Sequence, residues 1–136
     1  PLYLTNNQMV SEGNVGWHIM HSCLVITSIT NAIMNSDPTQ YKKKFSWKAF
    51  FVLLFNKIPR GKAKAPSFTQ PASEISMDMV LQQIADARKS AELLLTANKN
   101  KYFTHPIFGD LRVPTAIKFL YVHSYHHEKI IRDILQ

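Results

Sequence analysis

The sequence predicts an all-α protein, a single domain folded as an antiparallel four-helix bundle, and three observations predict it. Apolar residues recur at helical spacing in four separate segments. The segments between them are rich in Pro, Gly, Lys and Ser, and almost nothing reads as a strand. At 136 residues the chain is one domain, 1–136, large enough to bury about two-thirds of the surface its unfolded form exposes.

The first helix opens at Asn14, a good N-cap, and "VGWHIMHSCLVITSITNAIMN" runs to a stop at "SDP". Its apolar residues surround much of the circumference, which predicts burial on several sides. Ser46 opens a shorter helix, "WKAFFVLLFN", closed before Pro59. A segment from about 58 to 74, rich in Pro, Lys and Ser, has no apolar periodicity and is the candidate irregular functional loop. "SEISMDMVLQQIADARKSAELLLTANKN" is the clearest helix, with Met77, Val80, Leu81, Ile84, Ala87, Ala91, Leu94 and Leu95 predicted to form its buried face. Pro106 and Gly109 then predict a turn-rich connection. Pro114 sits in the first turn of a helix that continues to the end of the chain.

Composition narrows the classes of function. Hydrophobic residues make up 46% and charged residues 18%, the balance of an ordinary globular protein. The single cysteine, Cys23, has no partner for a disulfide, a CxxC metal site or a dithiol centre, so a reducing, cytoplasmic setting is expected. The longest apolar run, "AFFVLLF", is far short of the roughly 20 residues of a membrane-spanning helix. "PLYLTNNQ" does not read as a signal peptide. The net charge of +7 raises nucleic acid, but "YKKKF", "NKIPRGKAKAP" and the lysines from 89 to 101 do not form a basic helix face interleaved with aromatics. A solvated surface is the simpler reading.

The last helix carries the chemistry. Ala116, Leu120, His123, Ser124, His127, Ile131 and Ile134 form one stripe at helical spacing, so His123 and His127 point together into the interior, with His126 toward the edge. Two buried imidazolium ions would repel and lose hydration, whereas two neutral imidazoles one turn apart can both bind one metal ion. A bare HxxxH pair is weak evidence, since two hydrogen-bonded core histidines explain it as well. Neither the HExxH nor the HxxEH pattern is present, because Ile131 and His126 stand where those patterns need other residues. Further donors are Cys23, or His18 and His21 in "GWHIMH" on the first helix.

"VHSYHH", the preceding "HPIFGDL" turn and a histidine seven positions after a helix cap together resemble the DinB-like superfamily, in its DUF1569 branch. Asn14, Val15 and His21 match the early-helix pattern and His18 does not; His123 and His127 match the late one. The likeness spans most of the chain, including "IPRGKAKAP". It implies an antiparallel bundle with a divalent metal, zinc or nickel, on His21, His123 and His127 at one end. It also implies activation of a low-molecular-weight thiol, or of water, for transfer to or hydrolysis of a small-molecule substrate. The family carries a helix ahead of the first ligand helix, where only "PLYLTNNQMVSE" stands, so that helix is expected to be missing or disordered. Glu128, Lys129, Ile130 and Ile131 also depart from the family's basic or Gln-containing stretch after the paired histidines.

Three classes of function follow: a metal-dependent enzyme, a non-catalytic metal-binding or stress-associated bundle, and a basic structural or nucleic-acid-binding bundle. The expected partners are a small molecule and a second copy of the chain, without nucleic acid or membrane. No general base stands out. Glu128 is turned about 100° from its neighbouring ligand, and Tyr121, Tyr125 and Ser124 read equally as packing or surface. His105 reads as a turn-stabilising residue and Trp17 as a core aromatic. Arg60, Lys62 and Lys64 read by default as a solvated basic loop, with the alternative that they rim the site and attract an anionic substrate.

Overall fold

The computed structural model describes residues 1–61 and 64–136. The expected Lys62 contribution to the basic loop therefore lies outside the described residues. Four helices dominate: α1 (Val15–Asn35), α2 (Trp47–Phe55), α3 (Met77–Leu95) and α4 (Val113–Ile134). Short 3-10 turns at Leu2–Leu4, Pro38–Gln40 and Ser67–Thr69 punctuate the connections. None of the described helices is long and apolar enough to cross a membrane.

The helix starts follow from local chemistry. Asn14 Oδ1 accepts the Trp17 amide at 2.8 Å. Ser46 and Ser76 cap α2 and α3 through the amides of Ala49 and Met79. Each satisfies a donor that has no partner inside its own helix. Asn56 ends α2 in the left-handed region at φ 50°, ahead of Pro59.

The all-α expectation needs a correction. Residues expected to form a turn-rich connection make a small antiparallel hairpin, β1 (Tyr102–His105) paired with β2 (Gly109–Arg112). Tyr, Phe and Thr favour extended backbone, and Gly109, at φ +77°, supplies the left-handed residue such a tight hairpin loop requires. Thr104 Oγ1 donates to Asp110 Oδ1 across the pair at 2.7 Å. Phe103 and Leu111, opposite each other, both face the core.

Helix α1 is central and packs on both α3 and α4, while α2 packs on α4. The predicted buried face of α3 is too broad. Val80, Ala87 and Leu94 are buried, but Met77, Leu81, Ile84, Ala91 and Leu95 are exposed. Because α3 packs chiefly on α1, it buries a narrow stripe at positions 80, 87 and 94 rather than the wide arc of a helix with two neighbours.

The core divides along the antiparallel α1–α4 pair. Val25, Ile29 and Ile33 of α1 meet Ala116, Phe119 and Leu120 of α4, together with Phe103, Phe108 and Leu111 of the hairpin. A smaller cluster of Val15, Ile130 and Ile134 closes the opposite end. Ile33 and Val122 are fully buried, each contributing about 1.5–3 kcal/mol. The histidines of α1 and α4 occupy the layer between the two apolar clusters.

Candidate metal centre

His21 of α1 and His123 and His127 of α4 converge, each offering one ring nitrogen within 4.8 Å of the others. The face arithmetic on α4 and the early-helix match thus name three side chains that the fold brings together. His21 and His127 are buried and His123 is partly buried. Burial, followed by repulsion from its histidine neighbours, holds His123 down to about 3. Burial lowers His21 and, together with the charge that His123 and His21 would carry, lowers His127 further. All three rings are therefore neutral near pH 7, the form that donates a lone pair to a metal.

Hydrogen bonding assigns their nitrogens. His21 Nδ1 lies 2.7 Å from the Thr69 carbonyl, which can only accept, so Nδ1 carries the proton and Nε2 carries the lone pair. Thr69 belongs to the irregular loop between α2 and α3, which thereby reaches the site. His123 Nδ1 is buried without a hydrogen-bond partner. A buried lone pair left unpartnered is costly, and a cation satisfies it.

His18, which does not fit the family pattern, is part of the cluster. Its Nδ1 is 2.9 Å from His127 Nδ1, and its Nε2 is 2.9 Å from Ser11 Oγ. Ser11 Oγ also accepts the Gly13 amide. When His18 Nε2–H donates to Ser11, His18 Nδ1 accepts from His127 Nδ1–H, and the His127 lone pair then resides on Nε2. That is the support from behind that a metal-binding imidazole usually has. Burial, His21, His126 and Arg60, in that order, lower His18 to about 4.

The three donors lie close enough to hold a metal ion. Zinc–nitrogen bonds of ~2.0–2.1 Å place tetrahedral donors about 3.3 Å apart, so nitrogens already within 4.8 Å need only small side-chain rotations to close on an ion. Cys23 is buried, its thiol pushed up by burial, and it is outside the cluster. His126 stacks edge-on against His127 at 5.1 Å without joining the triad, as its place at the edge predicts.

Trp17 is a wall of the site rather than a core residue. Half-buried, it stacks on His21 with ring centroids 4.9 Å apart and 15° between planes, and meets His18 edge-on at 5.1 Å. His105 does stabilise the turn: its Nδ1 accepts the amides of Ile107 and Phe108, and its ring stacks on Phe108 at 4.2 Å. Arg60 pairs with Asp133 at 2.7 Å, and its charge helps keep His18 and His126 neutral.

The remaining candidates point elsewhere. Glu128 is exposed and bonded to Arg132 at 2.5 Å. Tyr121 stacks on Tyr125 at the surface. Tyr121 and Ser124 line an apolar groove with Ile26, Leu94, Leu95 and Ile117, between α3 and α4. No family model, curated protein or solved structure matches this chain.

Proposed function

We propose that the protein is a metal-dependent enzyme of the DinB-like kind, binding zinc or nickel through His21, His123 and His127. The observation that carries this reading is the convergence of three neutral ring nitrogens within 4.8 Å, from two helices, with His123 Nδ1 otherwise unpartnered. A divalent cation there supplies a Lewis-acid centre that stabilises a thiolate or a hydroxide at neutral pH, for transfer to or hydrolysis of a small molecule. The chain's own residues orient that centre's ligands. Thr69 fixes the His21 tautomer, His18 and Ser11 fix that of His127, and Trp17 stacks on the His21 ring.

The deciding experiment is elemental analysis of the untagged protein beside His123→Ala. Near-stoichiometric zinc or nickel in the parent, lost in the variant, supports the reading. No metal in either after reconstitution defeats it, leaving four neutral histidines packed as core.

A second reading, a metal-binding bundle without catalysis, draws on the orientation of Glu128, Tyr121, Tyr125 and Ser124 away from the triad. The visible spectrum of cobalt-substituted protein separates the two. Perturbation by an added thiol favours an open, reactive position, and indifference favours the closed alternative.

A further inference from the structure

Helix α2 exposes its most apolar face. Only Ala49 is buried, with Val52 and Leu53 partly buried against the main core. Phe45, Trp47, Phe50, Phe51, Leu54 and Phe55 are 44–66% exposed, on and just before this nine-residue helix. They form one continuous surface. Ring centroids are 4.8 Å apart for Phe45 and Trp47, 6.0 Å for Trp47 and Phe51, and 6.1 Å for Phe51 and Phe55. Exposed Lys42, Lys43, Lys44, Lys48 and Lys57 surround it.

The charge around this face is one-sided. Residues 38–73 contain eight of the chain's sixteen Lys and Arg and no Asp or Glu. The rest of the chain, with eight basic and nine acidic residues, is close to neutral, so the whole net charge of +7 arises here. Large apolar patches rimmed by charge mark interaction sites.

We propose that this face docks on a lipid bilayer containing anionic phospholipid, with the aromatic residues entering the headgroup boundary and the lysines meeting the negative surface. An interfacial helix with Trp, Phe and Leu on one side and Lys around it binds such a surface by apolar burial and charge together. A second copy is disfavoured, because face-to-face docking would bring lysine rim against lysine rim. Single-stranded nucleic acid is disfavoured as well: the rings pack on one another along a convex helix instead of standing apart to receive bases. This departs from the expectation of no membrane partner, which rested on the absence of a spanning helix, and peripheral docking needs none.

The test is flotation of the full chain with phosphatidylcholine vesicles, with and without phosphatidylserine. Two variants accompany it, Phe51→Ser with Leu54→Ser, and Lys42→Gln with Lys43→Gln and Lys44→Gln. All five side chains are exposed, so circular dichroism should show the parent helicity. The expected result is binding to the phosphatidylserine vesicles with a blue shift of Trp47 emission, weakened by salt. The three lysine substitutions together should weaken it about a hundredfold, since each lysine near an anionic surface contributes about 1 kcal/mol, and the Phe51, Leu54 variant should lose the emission shift. Three outcomes would overturn the proposal. They are no flotation with either vesicle, binding that RNA competes away, and self-association abolished by the Phe51, Leu54 variant without vesicle binding.

Discussion

His18 Nδ1 lies 2.9 Å from His127 Nδ1, joining two side chains 109 positions apart through one shared proton. If His127 binds metal through Nε2, that proton belongs to His127, and His18 is the acceptor that keeps it there. His18→Ala should therefore weaken zinc binding about 10- to 100-fold without changing stoichiometry, the usual effect of removing a ligand's supporting hydrogen bond. Competition against a chromogenic chelator measures it. His127→Ala, by contrast, should abolish binding; equal losses in both variants would mean His18 is itself a ligand.

Metal bound by the folded chain alone must stabilise it. At a free concentration a hundred times Kd the gain is about 2.7 kcal/mol, which for a domain of this size raises Tm by roughly 9 °C. Differential scanning calorimetry with and without zinc should show that shift in the parent and none in His123→Ala. A shift of equal size in the variant would place the ion elsewhere.

What could be read from sequence was what local chemistry or a single helix decides. Asn14 and Ser46 cap through amides three residues on, and His123 and His127 share a face by helical period alone. The His21 assignment needed a family likeness, and the same pattern set His18 aside. Its own signal was a polar residue three positions before His21, within reach of the same side of α1. Thr69 left no signal at all, since it contributes a backbone carbonyl that any residue has. The hairpin escaped because four-residue strands are too short for a period of two to be recognised. The breadth of the α3 face was misjudged because burial depends on how many neighbours a helix acquires.

The buried histidines make the metal-free protein acid-sensitive. An unfolded histidine titrates near 6.5, while burial holds His123 down to about 3 and His105 to about 4. Above pH 6.5 neither state is protonated and nothing is lost. Below it the unfolded chain gains protons that the folded chain refuses, so stability falls as pH falls, until the folded groups titrate. His123 alone accounts for about 1.4 kcal/mol per pH unit in that window, and His18, His21 and His105 act in the same direction. Urea unfolding of apoprotein should show a midpoint that drops steadily from pH 6.5 to pH 4.5. A flat profile would contradict the neutral cluster.

Ile33 tests whether site and core are separable. It is fully buried among Val25, Ile29 and the hairpin, in the cluster on the far side of the histidines from Val15 and Ile130. Ile33→Ala should cost about 2–5 kcal/mol and leave metal stoichiometry at the parent value. Loss of metal at a temperature where circular dichroism shows the variant folded would mean the triad depends on the packing of that end.

Trp17 provides an optical reading of the same site. Its ring lies almost parallel to His21 at 4.9 Å, whereas Trp47, the other tryptophan, belongs to the exposed face of α2. In a Trp47→Phe background all tryptophan emission comes from Trp17. Nickel or cobalt held by His21 would sit within a few ångströms of that ring, close enough for the open d shell to drain the excited state, while zinc, with a filled shell, would not. Titration with nickel should remove most of the emission, with a break at one equivalent, and zinc should prevent that quenching by occupying the same donors. Emission unchanged by nickel that elemental analysis finds bound would show that the ion is not on His21, and a triad including that residue would have to be given up.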